Sequence, residues 1–324
     1  MSTMRTRSVF FSIVIPTYNR LPILQKCLRA LEIQTCDPQL VTDYEIVVVD
    51  DGSSDGTIEW LRNSTNELPH LKIYEQAHKG ASAARNLGVE QAQGDTIIFI
   101  DSDIVVTPTF LQCHAAALLQ KQQVLGDDRV FTYGAVINTA NFENPTAEPY
   151  KLLDFSNAYF ATTNVAISRH WLLEVGLFDL GFDLYGWEDL ELGVRLKHQG
   201  IEMVKCPEAV GYHWHPAFSL DRIPRLIEQE LERGKMGVVF YKKHPNLDVK
   251  IMIQMTVFHR ILWNILSLGG ALNERTLKPL MQWSIDRGNP QLAEQFARIF
   301  LNQYSVQEVH RAYQASLKQL TVDS

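Results

Sequence analysis

The sequence predicts an α/β protein, a mostly parallel sheet flanked by helices and continued by an all-helical C-terminal extension. Three observations carry this. The first hundred residues hold four short, unbroken apolar runs, amphipathic stretches separate them, and beyond residue 219 no strand signal remains. A strand covered by helices on both faces reads as a continuous apolar run rather than an alternating one. Strands that alternate with helices along the chain form right-handed crossovers and so lie parallel in one sheet.

The four runs are residues 11–15 (FSIVI), 44–49 (YEIVVV), 71–74 (LKIY) and 96–100 (TIIFI). Helices are expected between them at 21–35, where Leu24, Cys27, Leu28 and Leu31 recur at helical spacing, and at 57–63 and 81–92. Residues 104–216 read as mixed α/β, with a helix at 108–121, a strand at 130–137 and a polar loop at 138–149. A strand at 164–168, a helix at 188–199 and two short strands ending at His213 follow. Helices are then expected at 219–243, 249–268, 274–286, 290–301 and 306–320, several opening on Ser, Asp or Asn. No internal repeat or low-complexity tract interrupts the chain.

Composition narrows the class. With 324 residues, 46% hydrophobic and 21% charged, the chain is too apolar to be disordered and too polar to span a membrane many times. Its length suggests two domains. A net charge of −7 argues against nucleic acid, which needs a basic face. The charge is uneven: Ala217–Ser324 carries 14 Lys/Arg against 10 Asp/Glu, and residues 1–216 carry 16 against 27. Cys27, Cys36, Cys113 and Cys206 lie far apart, so neither a zinc cage nor a disulfide framework is expected, and a reduced, cytoplasmic setting is the default. The N-terminal MSTMRTRSVFFSIVIP has an apolar run too short for a signal core.

Polar clusters follow three of the strand runs: Pro16-Thr17-Tyr18-Asn19-Arg20, Asp50-Asp51-Gly52-Ser53-Ser54-Asp55-Gly56 and Asp101-Ser102-Asp103. Turns are rich in such residues in any case. In doubly wound sheets, however, ligands bind beyond the carboxyl ends of the strands, and acidic loops meeting at one edge would repel without a cation or polar ligand. Asp101-Ser102-Asp103 is the sharpest of the three. Mg²⁺ and Mn²⁺ take oxygen ligands, commonly one or two carboxylates plus phosphates, and an Asp-X-Asp directly after a buried strand suits that chemistry.

IPTYNR, VVVDDGSSDGT and KGASAARNLGVEQAQGDTIIFIDSD, in that order, resemble the family 2 inverting glycosyltransferases of the GT-A fold, a Rossmann-like architecture. The resemblance covers about residues 10–216. It implies a GT-A catalytic domain at 1–216, with a donor-binding half at about 10–103 and an acceptor half at about 104–216, followed by a helical region at 217–324. It also implies transfer of a sugar from a nucleotide donor to a hydroxyl of a glycan, lipid or small-molecule acceptor, as in polysaccharide biosynthesis, with Mn²⁺ or Mg²⁺ as cofactor. By that resemblance Thr17, Tyr18 and Asn19 lie against the base, Pro16 and Arg20 belong to the same nucleotide-sugar-binding loop, and Asp50 accepts a hydrogen bond from the base. A uracil ring N–H suits that carboxylate and favours a UDP donor. Lys79, Gly80, Ala83, Arg85 and Asn86 run beside the nucleotide, Asp101 and Ser102 contact the donor, and Asp103 leads the metal ligands, with Asp101 beside it.

The resemblance further assigns Gly186-Trp187-Glu188-Asp189 to the acceptor motif, with Asp189 as general base and Glu188 as the alternative. A sugar hydroxyl is a weak nucleophile, so a positioned base is required. Trp187 offers a flat ring for a sugar face, with core packing as the rival role. His213 and His215, two apart on a strand, point to one side; in the family a histidine after a late strand completes the metal shell, which selects His213 with His215 as fallback. Asn164 is expected to bond a sugar hydroxyl.

Residues 251–268, IMIQMTVFHRILWNILSL, are apolar enough to suggest a membrane span, but Gln254, His259, Arg260 and Asn264 interrupt them. A buried or interfacial helix is therefore expected, packed on the catalytic domain, on a second copy, or at the inner face of a membrane with basic residues toward anionic lipid. Two other functions stay open: a nucleotide-sugar-binding protein with a degenerate site, and a nucleotidyltransferase. The second is disfavoured because no glycine-rich phosphate loop with a following lysine stands near the N-terminus.

Overall fold

A computed structural model describes residues 8–149 and 159–322. Residues 150–158 of the segment expected to meet the acceptor lie outside the described residues. The chain divides into two compact units, one of residues 1–180 and Glu188–Pro216, the other of Gly181–Trp187 and Ala217–Ser324.

The first unit is built on one eight-stranded sheet. Its strands are β1 (Val9–Thr17), β2 (Val41–Asp50), β3 (Leu71–Glu75), β4 (Thr96–Ile100), β5 (Ile104–Val106), β6 (Val130–Thr139), β7 (Asn164–Ser168) and β8 (Glu202–Trp214), ordered β3-β2-β1-β4-β7-β6-β8-β5. β3, β2, β1 and β4 are mutually parallel; β7 runs antiparallel to both neighbours, β8 is parallel to β6, and β5 antiparallel to β8. The apolar runs alternate between two cores, as the two-residue period of a strand requires. Ile13, Ile15, Ile46, Val48, Ile98 and Ile100 enter one, with α1 (Leu21–Glu32) and α4 (Phe110–Leu125) above them. Val14, Val47, Val49, Ile97 and Phe99 enter the other, under α3 (Ala81–Gln91) and α6 (Glu188–His198). The remaining helices of this unit are α2 (Thr57–Asn63) and α5 (Arg169–Glu174).

The second unit contains α7 (Ile223–Lys243), α8 (Leu247–Met252), α9 (Val257–Leu266), α10 (Lys278–Asp286) and α11 (Pro290–Val322). Its own core holds Phe218, Met281, Ala293, Ala297 and Phe300.

β5 and α5 are not expected from the sequence, and three of the expected elements take another form. Residues 249–268 form two helices, because Gln254 adopts a left-handed φ of 57° and Thr256 caps a new helix by accepting from the His259 N–H. The two helices expected at 290–301 and 306–320 are one, α11: Asn302 and Ser305 look like a break, yet Phe300, Leu301, Val306 and Val309 are buried on either side of them. Finally, β8 is one strand. Pro207 cannot donate to a ladder, and the pairing with β6 jumps there from Gly134–Cys206 to Ala135–Val210, leaving a bulge at residues 207–209.

Candidate active site at the carboxyl edge of the sheet

Topology explains why distant polar residues meet. β4 ends at Ile100 in the middle of the sheet, and the chain crosses through Asp101-Ser102-Asp103 to β5, which pairs with the far strand β8. The register sets Ile104 opposite His213. Asp103 Oδ1 therefore lies 3.0 Å from His213 Nε2, and His213 Nδ1 lies 3.1 Å from His215 Nε2. Asp103, His213 and His215 each offer one ligand atom, all within 4.8 Å of one another. Burial works against the charged form of Asp103, but the hydrogen bond and charge of His213, with Arg20 and His215 beyond, outweigh it and hold the carboxyl below its ordinary pKa. Burial likewise disfavours the His213 cation, yet Asp103 raises its pKa overall. The donor set of one carboxylate and two imidazoles fits a divalent metal, which would take the place of the proton on His213.

The second centre forms around Arg85. Its side chain is 7% exposed, and its Nη2 donates to Asp101 Oδ1 at 2.8 Å, while Nη1 stands 4.0 Å from both Glu188 Oε1 and Asp189 Oδ1. Burial opposes the guanidinium charge, and Asp101, Asp189 and Glu188 together outweigh it, so Arg85 is held as a cation. One arginine on α3 thus joins the Asp-X-Asp turn to the start of α6.

Asp189 is held in place by Thr162, whose backbone N–H and hydroxyl both donate to Oδ2 at 3.0 and 2.9 Å. Its Oδ1 is buried without a hydrogen-bond partner, as is Oε2 of Glu188. Burial and the neighbouring Asp189 charge push the Glu188 carboxyl well above the usual carboxylate range. α6 is locked from behind by Arg195, which chelates Glu191 and donates to the carbonyls of Val175 and Leu177.

The first two loops lie together at the edge of β1 and β2, where Thr17 pairs with Asp50. Asp50 accepts from the Ser53 N–H through Oδ2, while its Oδ1 is buried and unpartnered, as is Thr17 Oγ1. Pro16 is buried within β1, and Ser102 within the β4–β5 turn. Asp51 is a loop organiser: it accepts from the backbone N–H groups of Lys79 and Gly80 and from the Gln76 amide. Gly80, at φ 91°, and the buried Ala83 bring α3 close to this loop, and Lys79 is exposed beside it. Tyr18 stacks on His78 with ring centroids 4.3 Å apart, and Arg20 reaches within 3.9 Å of Asp103.

Four residues expected to touch ligand have other partners. Asn164 is fully buried; its amide donates to the carbonyls of Ala135 and Ala209, and its Oδ1 faces His114 Nε2, so no group is left for a sugar. Asn86 spends its amide on the backbone N–H and carbonyl of Phe178. Asn19, at φ 52°, accepts from the Ser54 N–H and tethers the first loop to the second. Trp187 donates its Nε1 to the Arg233 carbonyl and carries the Arg233 guanidinium over its ring at 4.9 Å, so core packing takes the face expected to meet a sugar. Sequence reasoning missed Thr162 as the anchor of Asp189, and His78 and Arg195. A threonine in a turn before a strand and an arginine in a helix carry no signal of their own.

The family model for glycosyl transferase family 2 matches residues 12–176, half of the chain. The chain belongs to that family. Among its family 2 relatives, the chondroitin synthase of Escherichia coli is 29% identical over 73% of this chain and 40% of its own length. The validoxylamine A glucosyltransferase of Streptomyces hygroscopicus subsp. limoneus is 31% identical over 62% of this chain and 50% of that one. The chain therefore spans about half the length, or less, of these relatives. In fold it resembles a mannosyltransferase of Pyrobaculum calidifontis in complex with GDP-Man and Mn²⁺, with a TM-score of 0.56 at 18% identity over 93% of this chain and 88% of the other. This likeness establishes the GT-A architecture.

Proposed function

We propose that this family 2 chain transfers a sugar, with inversion, from a UDP-sugar to a hydroxyl of a glycan or a lipid-linked or small-molecule acceptor. One observation carries the reading: Asp103 faces two imidazoles, while one buried arginine ties Asp101 to a carboxylate, Asp189, that has a free oxygen. Supporting it, the buried Oδ1 of Asp50 and Oγ1 of Thr17 stand unpartnered where a base edge with an N–H would satisfy them. Cytoplasmic action, with an acceptor presented at a membrane, fits this reading; no helix among the described residues is long and apolar enough to cross one.

Asp103, His213 and His215 would hold the metal, and two imidazoles in the set favour Mn²⁺ over Mg²⁺. Such an ion supplies charge neutralisation to a leaving diphosphate. The chain's residues do the rest. Asp189, fixed through Oδ2 by Thr162, presents Oδ1 to take the proton of the acceptor hydroxyl as its oxygen bonds the anomeric carbon. The bond from that carbon to the diphosphate breaks on the opposite side, which inverts the anomeric centre. Arg85 keeps Asp101 and the acidic pair from repelling one another and so preserves the geometry.

The test is a panel of UDP- and GDP-sugars with Mn²⁺ or with chelator, reading nucleotide release and, by NMR, the anomeric configuration of the product. Metal-dependent UDP release with an inverted product is expected, and Asp103→Ala should abolish the Mn²⁺ stimulation. Pyrophosphate release would instead mark nucleotidyl transfer, and donor binding without turnover a degenerate site.

A further inference from the structure

The helices α8 and α9 present an apolar surface that nothing in their own unit covers. Nine of the twenty exposed large apolar side chains of the described residues fall within residues 247–268. On α9 they recur at helical spacing: Val257, Ile261 and Ile265 form one stripe, and Phe258, 66% exposed, stands beside it. No residue of α9 is buried, although its other side meets α11. A contiguous apolar face of this kind marks an interaction surface rather than scattered exposure.

Charge selects the occupant. Residues 242–268 carry Lys242, Lys243, Lys250 and Arg260 against Asp248 alone. Lys242 and Lys243 end α7, four residues before α8 begins, and both are exposed. Lys250 lies on α8 and Arg260 on α9, where it is exposed. An apolar stripe with Arg260 on the same helix and a basic excess in the adjoining sequence matches the layered chemistry of a bilayer surface, with acyl chains below and anionic headgroups around; a purely apolar protein partner offers that basic excess no anion. Length agrees: ten residues of helix extend about 15 Å, half the hydrocarbon thickness, so α9 fits along the interface and not across it.

We propose that the α8–α9 face docks this chain onto a bilayer containing anionic lipid, with Phe258, Ile261 and Ile265 entering the acyl boundary and the basic residues at the headgroups. Docking of this kind needs neither donor nor metal, so it stands or falls apart from the transfer reading.

The experiment is vesicle flotation of the whole chain, without nucleotide or metal, on phosphatidylcholine vesicles with and without phosphatidylglycerol. Flotation is expected with phosphatidylglycerol and is expected to weaken at high salt. Phe258→Ser combined with Ile261→Ser should lower binding at least tenfold, and Lys242→Gln combined with Lys243→Gln by about fivefold per charge. Both pairs alter exposed side chains, so melting curves should match the parent, confirming that the fold is intact. The proposal is overturned if the parent does not float on phosphatidylglycerol vesicles, or if Phe258→Ser/Ile261→Ser floats as well as the parent. It is equally overturned if light scattering shows a dimer that this double variant dissociates while lipid has no effect, since the face would then join two copies of the chain.

Discussion

Asp189 and Glu188 are neighbours in sequence with different environments. Thr162 gives two hydrogen bonds to Asp189 and none to Glu188, for which burial and the Asp189 charge outweigh the attraction of Arg85. Asp189→Asn is therefore expected to lower turnover by about 10²–10⁴-fold while donor binding survives. Thr162→Val, which keeps the shape but removes the hydroxyl bond, should lower kcat by about tenfold with the donor KM unchanged; steady-state kinetics on both variants checks this. Glu188 makes a prediction about pH. Its raised pKa means that, as pH climbs past the ordinary carboxylate range, the unfolded chain releases a proton the folded chain retains, and stability falls until the raised pKa is passed. Glu188→Gln removes that penalty. Urea unfolding should show no difference from the parent in acid and a gain of about 1–2 kcal/mol above neutrality.

At the scale of elements, the β8 bulge sets the site. Pro207 interrupts the ladder with β6, and Asn164 closes the gap by donating to Ala209 on β8 and Ala135 on β6. Gly134 is required there, because a Cβ would lie 2.4 Å from the Asn164 amide. The bulge fixes the phase in which β8 continues to His213 and His215. Asn164→Ala removes the side-chain partner of two carbonyls and of His114 Nε2, and should cost about 2–4 kcal/mol in urea unfolding. Calorimetric titration of the folded variant should also show weaker Mn²⁺ affinity than the parent; unchanged affinity would confine Asn164 to stability. The start of α6 is a second such device. Gly186 and Trp187 both take positive φ, 96° and 78°, before Glu188 begins the helix, and a left-handed tryptophan is a strained conformation held by its partners.

At the scale of the molecule, the unit boundary does not follow the chain. Gly181–Trp187 belongs with the C-terminal helices, where Phe182 and Trp187 pack around Phe240. A chain cut after Pro216 would keep every strand yet lose the partners of these two side chains. It should bind a hydrophobic dye and melt lower than the full chain, as dye fluorescence and circular dichroism would show. The charge asymmetry also acquires meaning at this scale. The acidic excess of residues 1–216 includes Asp50, Asp101, Asp103, Glu188 and Asp189, which gather at one sheet edge, and the basic excess of the remainder includes the residues flanking the α8–α9 face.

By itself the sequence determined the α/β architecture, the four parallel strands and the acidic loops after them, since strand periodicity and turn chemistry are local and survive without tertiary context. The motif order likewise determined the family. Only the tertiary structure decided which side chains are spent on the fold. Asn164, Asn86 and Asn19 read as ligands because an amide suits a sugar or a base; Asn164 and Asn86 are consumed by groups brought near from distant parts of the chain, and Asn19 lends its Oδ1 to the Ser54 N–H. It also decided that Arg85 joins Asp101 to Glu188 and Asp189, and that Thr162 holds the last of these. Such contacts depend on strand order and register, and these arise from long-range pairing that no short stretch of sequence encodes.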